Sequence, residues 1–219
     1  MTAAPERAGA AARTEAIFHQ AGALRNGHFR LKSGRHGDRY LEKFQVLQFP
    51  AAVTALCQDM ATFGRAADGS PAVDLVVGPT TGGVILAFET ARQLGLPGFF
   101  AEEVAGAAGT PARREFRRGF RIEPGQRVLL VDDVLTTGGS LERMVPPIEA
   151  AGGELQRCVV LVDRSGGLAE ISGPSGRRYP VEALWTLDLP TYEPGPASCP
   201  GCAADLPLEA PGSSGAAGS

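Results

Sequence analysis

The run VLLVDDVLTTGGS, Val128 to Ser140, sets four apolar residues, two adjacent acids and a turn of hydroxyls and glycines in one unbroken segment. The apolar residues have the length and composition of a buried strand, and the glycines let the chain turn sharply into a helix. In an open parallel sheet, ligands collect beyond the carboxyl ends of strands, which is where Asp132 and Asp133 arrive. Backbone N–H groups at the start of the helix form a cradle for an anion, and the hydroxyls of Thr136, Thr137 and Ser140 add donors. That half of the segment suits a phosphate. Two carboxylates cannot hold the same phosphate, so they face another part of the ligand, either sugar hydroxyls or a divalent cation. A phosphorylated ribose meets both demands. Other phosphate loops fit less well: no Gly-Lys-Ser/Thr ending is present, and this turn lacks the G-x-G-x-x-G fingerprint.

Outward from this run the chain alternates helix and strand, as an α/β parallel sheet with crossover helices requires. AAVTALCQDMATF (51–63) reads as a helix, VDLVVG (73–78) as a buried strand and GGVILAFETARQLG (82–95) as a helix closed by Gly95. GFFAEE, RVLLVDD (127–133) and LQRCVVLVDR (155–164) read as strands. SLERMVPPIEAAGG reads as a helix kinked or broken at Pro146-Pro147. Nearer the N-terminus, Ile17, Phe18, Ala21 and Leu24 recur at helical spacing behind Thr14 as a cap, and the segment 27–43 reads as a hairpin turning at Ser33-Gly34. The stretch 104–116, VAGAAGTPARREF, has no apolar periodicity and is expected to be a mobile loop. Residues 1–13 and 208–219 are expected to be flexible ends flanking one domain over 14–207.

Composition narrows the partners. A net charge of -3 and a pI near 5.7 argue against a nucleic-acid backbone as the main ligand and favour a small molecule. The first residues lack a signal peptide, and no window is apolar enough to span a membrane, so a soluble cytoplasmic protein is expected. Of the 21 basic residues only Lys32 and Lys43 are lysine, which leaves few candidates for any chemistry needing one. Among the four cysteines only Cys199 and Cys202, in CPGC, have metal-type spacing. Zinc would need two further ligands, and His19, His28 and His36 lie far away in sequence, so no metal site is expected there.

The same thirteen residues resemble the phosphoribosyl pyrophosphate signature of type I phosphoribosyltransferases. GHFRLKSGRHGDRYLEK (27–43), VVGPTTGGVILAFETARQLG (76–95), LVDRS (161–165) and the ending CPGCAADLPLEAPGS resemble the orotate branch of that family. The resemblance implies a phosphoribosyltransferase fold, a parallel sheet flanked by helices with a small hood mainly from residues 14–48. It implies transfer of 5-phosphoribose from phosphoribosyl pyrophosphate to orotate in pyrimidine synthesis, with Mg²⁺ on the pyrophosphate, by a homodimer.

By position, Asp132 and Asp133 would hold the ribose hydroxyls, and contacts to phosphoribosyl pyrophosphate would continue through Val134, Leu135, Thr136, Thr137, Gly138, Gly139 and Ser140. Thr81 and Gly82, with Gly83, match the loop on the pyrophosphate side, and Lys32 matches a lysine near the substrates. Thr136 and Arg164 would meet orotate, the guanidinium fork suiting a carboxylate. One departure stands out: the family's closing loop carries lysine and histidine, whereas here the first cations are Arg113 and Arg114, which are expected to swing over the site in their place. Two alternatives compete, a purine-base phosphoribosyltransferase and a non-catalytic ligand-sensing regulator on the same fold. The hood segment and Arg164 speak against the first, and the acidic chain with no helix-turn-helix before residue 50 against the second.

Overall fold

A computed structural model describes residues 4–31, 33–106, 110 and 112–211. In chain order the elements are α1 (Ala4–Gln20), β1 (Leu24–Arg30), β2 (His36–Leu41), α2 (Phe44–Leu47), α3 (Pro50–Thr62), β3 (Leu75–Pro79), α4 (Gly82–Leu94) and β4 (Gly98–Val104). They continue with β5 (Arg113–Phe116), β6 (Arg127–Leu135), α5 (Gly139–Glu142), α6 (Val145–Ala150), β7 (Glu154–Asp163), β8 (Glu170–Ser172), β9 (Arg178–Thr186), β10 (Thr191–Tyr192) and α7 (Pro200–Ala203).

The main sheet has the order β5-β4-β3-β6-β7-β9-β8. Its five inner strands are parallel, and β5 and β8 close the two edges antiparallel. Strand β6 shows why the sheet lies in the middle. Leu129 and Val131 pack into one apolar cluster with α1, α3 and α4, while Val128 and Leu130 pack into another with α5 and α6. A strand covered on both faces has no polar side to alternate with, which explains the continuous apolar run before Asp132. The parallel strands also place the ends of β3, β6 and β7 on one edge, where the site forms.

The expected helices and strands of this half are present, and Gly95 closes α4 in the left-handed region at φ 71°. The proline pair breaks the helix expected over 140–153 into α5 and α6, with the prolines in the first turn of α6, where a missing N–H breaks no intrahelical bond. Three expectations need correction. The first helix starts at Ala4, and Thr14 is fully buried within it instead of capping it. The stretch 104–116 is largely a hairpin, since Arg113–Phe116 pair with Ala101–Val104, and of its remainder 107–109 and 111 fall outside the described residues. The flexible end expected over 208–219 is tied down at its start, because Glu209 bridges to Phe29 and its carbonyl accepts from the Arg30 amide at 2.7 Å, and 212–219 fall outside the described residues.

The hood is likewise shared between the ends of the chain. β1 and β2 supply two strands, and β10 adds a third against His36 and Gly37. Beyond β10, α7 returns to the same sheet and sets Cys199 and Cys202 beside His28 and His36. Distance in sequence, the argument against a metal site, therefore disappears on folding.

Helix α1 packs on β9 through Phe18, which is fully buried with its ring 5.7 Å from that of Trp185, the single tryptophan. Phe18→Ala removes this contact and leaves a cavity, so urea unfolding followed by Trp185 fluorescence is expected to show a loss of about 3–5 kcal/mol. A stability equal to wild type would mean that α1 is not part of the core.

Candidate active site

Strand β6 carries Asp132 and Asp133 to its end with the carboxylates nearly closed to water, at 6% and 4% exposure. The Asp133 amide donates to Asp132 Oδ1 at 2.9 Å and the Val134 amide to Asp133 Oδ1 at 2.7 Å, so the backbone holds both side chains in place. Burial first, and the neighbouring Asp133 charge second, push the Asp132 pKa well above the ordinary carboxylate range, against the pull of the Asp133 amide and Ser140. Asp133 has a different surrounding. Lys43 Nζ donates to its Oδ1 at 2.8 Å, while Oδ2, 2.7 Å from the same ammonium, is in ion contact without hydrogen-bond geometry. On its other side lies Gly82, where any Cβ would overlap Oδ2.

After Leu135 the chain turns through Thr136 and Thr137, both exposed, to Gly138 at φ 83°. A side chain at Gly138 would be strained by that φ and would also crowd Leu168 Cδ2 at 2.7 Å. The amides of Thr136, Thr137 and Gly138 donate to no acceptor among the described residues, and those of Gly139 and Ser140 open α5, where an intrahelical partner is lacking. A small cleft is lined by Val134, Leu135, Thr136, Gly138, Gly139, Ser140 and Leu141. Because α5 has only four residues, the pull on an anion comes from these N–H groups more than from a helix dipole.

Two further corners adjoin the end of β6, one beside the turn at Thr136 and one beside Asp133. Arg164 follows β7, and its amide donates to Leu135 O at 2.8 Å, which sets it beside Thr136. Its half-buried guanidinium forms no ion pair or side-chain hydrogen bond among the described residues, and Nε is buried without a partner. Burial lowers its pKa from the usual guanidinium value, countered by the Tyr40 phenol. The other corner is the turn between β3 and α4, where a cis peptide joins Thr80 and Thr81 and the helix begins at Gly82.

Arg114 belongs to this second corner. It is 8% exposed on β5, donates to Thr80 Oγ1 at 2.7 Å and lies 3.4 Å from Glu103. The expectation that Arg113 and Arg114 ride a closing loop is therefore corrected: strand pairing fixes both, with Arg114 against the Thr80–Thr81 turn and Arg113 exposed in an ion pair with Glu115. Arg117 and Arg118 form surface pairs with Glu115 and Glu102. Lys32 lies outside the described residues. Lys43 was not expected at the site, and the scarcity of lysine was the one signal in the sequence that could have pointed to it.

The phosphoribosyl transferase domain model matches residues 52–176, which include both turns and the paired acids. The orotate phosphoribosyltransferase of Pelotomaculum thermopropionicum is 43% identical over 198 residues, 90% of this chain and 95% of that protein. The chain belongs to the orotate phosphoribosyltransferase family. The family's member from Thermotoga maritima is 37% identical over 91% of this chain and 97% of its own. Among solved structures, the orotate phosphoribosyltransferase of Aeropyrum pernix superposes with a TM-score of 0.61 at 26% identity, covering 78% of this chain and 92% of that one.

The Asp132 shift sets a test. With its folded pKa raised above the unfolded value, ionised Asp132 costs stability, by an amount absent below the unfolded pKa and complete above the folded one. Asp132→Asn never ionises and is expected to weaken turnover while raising stability at pH 8, on the order of 2–4 kcal/mol, with the gain fading toward pH 4.5. Melting curves of both proteins across that range check it, and a gain independent of pH would refute the assignment.

Proposed function

We propose that this chain transfers 5-phosphoribose from phosphoribosyl pyrophosphate to N1 of orotate, releasing pyrophosphate and forming orotidine 5'-monophosphate in pyrimidine nucleotide synthesis. The observation that carries the choice of base is Arg164, a half-buried guanidinium without an anionic partner among the described residues, next to the phosphate turn. A planar fork in such a place suits a carboxylate, which orotate has and the purine bases lack.

On this reading the free amides from Thr136 to Ser140 hold the 5'-phosphate, and Asp132 and Asp133 accept hydrogen bonds from the ribose hydroxyls. The bond from C1 to the pyrophosphate oxygen breaks while N1 of orotate bonds to C1, so the ring gains positive charge as the leaving group gains negative charge. The buried acids tolerate the first change. Arg114 and the amides at the start of α4 face the second. Arg164 and Thr136 orient orotate for attack, replacing a bimolecular encounter by a fixed geometry.

Magnesium belongs to the same proposal. The side chains at the end of β6 offer only oxygen, from Asp132, Asp133, Thr136, Thr137 and Ser140, which fits a hard cation bound through carboxylates and substrate phosphates, with Asp132 the carboxylate that has no ammonium in ion contact among the described residues. When bound, Mg²⁺ neutralises charge on the pyrophosphate. Exposed Phe44, Phe49, Ile85 and Phe88 on the neighbouring α2, α3 and α4 segments support a homodimer, since a second copy would cover them. A cytoplasmic setting agrees with the four free cysteines. No helix among the described residues is long and apolar enough to cross a membrane.

The central test follows pyrophosphate release with Mg²⁺, phosphoribosyl pyrophosphate and, in turn, orotate, uracil, adenine and hypoxanthine. Turnover is expected with orotate, and release with a purine base instead would replace the proposal by its alternative. Arg164→Ala is expected to raise KM for orotate about tenfold to a hundredfold, for a lost charge-assisted contact of roughly 1.5–3 kcal/mol, and to shrink the preference for orotate over uracil. An unchanged preference would remove Arg164 from the base site.

The two arginines of β5 part company in the same assay. Arg114→Ala is expected to lower kcat by roughly tenfold to a thousandfold, the scale of losing a group that stabilises a developing anion, while Arg113→Ala stays near wild type. Equal effects of the two substitutions would contradict the placement.

A further inference from the structure

We infer that the hood holds a structural Zn²⁺ ion between His28, His36, Cys199 and Cys202, a site separate from the substrate pocket. One ligand atom from each residue lies within 4.8 Å of every other, and the first three residues are buried. His28 Nε2 is 2.8 Å from His36 Nδ1, 3.4 Å from Cys199 Sγ and 3.5 Å from Cys202 Sγ, and Cys202 Sγ is 3.3 Å from His36 Nδ1. A tetrahedral zinc with bonds of about 2.3 Å to sulfur and about 2.0–2.1 Å to nitrogen separates its ligand atoms by roughly 3.3–3.8 Å. The three sulfur–nitrogen distances already fall there, and the two ring nitrogens need to part by roughly 0.5 Å.

Hydrogen bonding alone accounts poorly for this cluster. His28 Nδ1 is 2.9 Å from Leu206 O, a carbonyl that can only accept, so Nδ1–H donates to it and Nε2 is turned inward to the other three side chains, with one lone pair to offer when it carries no proton. Three polar neighbours then surround one lone pair, which can accept well from one of them. A cation at the centre uses all four ligand atoms, and the Leu206 contact is the outer-shell bond that fixes a ligating imidazole. Two thiolates and two neutral imidazoles also cancel the ion's charge, so burial carries little cost.

The local chain is shaped for the approach. Cys199 caps α7 and Cys202 lies within it, so both sulfurs come from one short turn. Between them, Gly201 is pressed on the His28 ring, where a Cβ would come within 2.5 Å of Cγ. The ligands join β1, β2 and the C-terminal return, which share a small sheet with few large buried side chains. A metal clip suits such a small unit.

The test uses the untagged full-length chain purified without chelator. Metal analysis is expected to find near one zinc per chain, and near none in Cys202→Ser and in His36→Asn. The stripped wild-type chain titrated with Co²⁺ should develop thiolate charge-transfer absorption and the visible bands of a tetrahedral site, saturating at one equivalent and bleached by Zn²⁺. Its melting temperature should fall on stripping and recover with Zn²⁺. Folded wild-type protein that holds no zinc and gives no cobalt spectrum overturns the inference, as does an intact mass short of two hydrogens from a Cys199–Cys202 disulfide. Zinc retained equally by both variants would place the metal elsewhere and also overturn it. Should the variants fail to fold, the wild-type cobalt titration decides. None of these readouts depends on which base the protein uses.

Discussion

Two adjacent carboxylates closed off from water at the end of one strand are the constraint around which this structure is arranged. Each would cost free energy alone, and together they also repel. The surroundings answer the two acids differently. Asp133 takes the ammonium of Lys43, two positions beyond the hood hairpin, in direct contact, whereas Asp132 has an amide, Ser140 and the weaker pull of the same ammonium against its burial and the Asp133 charge, and is pushed toward its protonated form. Gly82 follows from the same crowding, because any side chain there would occupy the place of the Asp133 carboxylate. Such an arrangement is poorly suited to stability alone, which points to a ligand that needs it.

Around this negative centre stand three places that attract anions: the bare amides after β6, the Arg114–Thr80 corner and Arg164. Their separation matters more than their number. A ligand with a phosphate, a second phosphate-bearing arm and a carboxylate could fill all three while laying a neutral sugar over the acids. On the proposed reaction the sugar becomes cationic only in the transition state, so the attraction of the buried acids grows at the moment of bond breaking. Stabilisation of that kind raises kcat instead of merely tightening binding. Because the donors are fixed by strand ends and strand pairing, little reorganisation accompanies the change.

The parts of this site that were legible in the sequence are those in which chemistry and local structure coincide in a few residues. The run from Val128 to Ser140 states a buried strand, its acids and its turn without reference to anything distant, and the glycines of the Thr80–Gly83 turn do the same. Arg164 was legible as a candidate, while its lack of an ion-pair partner among the described residues required the fold. Lys43 is another matter, since nothing in YLEKF shows that β2 ends against β6. The stretch 104–116 reads as a loop in sequence because β5 is a four-residue edge strand with three charged residues, RREF, whose pairing to β4 depends on the hairpin as a whole. Nothing in RYPVEALWT announces β9 either: Pro180 argues against a strand, and it is tolerated because it lies just ahead of Val181, the first residue of β9 paired to β7, so its missing N–H takes nothing from that ladder.

The same distinction explains the hood. Its third strand and α7 come from the far end of the chain, so the pairing of β10 with β2 and the meeting of two histidines with two cysteines are long-range facts with no local signature. Their consequence reaches the acids. The C-terminal return fixes β1 and β2 by backbone bonds at Arg30 and Glu209 and by the His28–Leu206 contact, and β2 leads directly to Lys43. Loosening that return removes restraint from the hairpin, then from the ammonium, and so from the only cation beside Asp133 among the described residues. The hairpin that carries Lys43 to the buried pair at the end of β6 is thus tied down by the last described turn of the chain, although no residue of that turn touches either carboxylate.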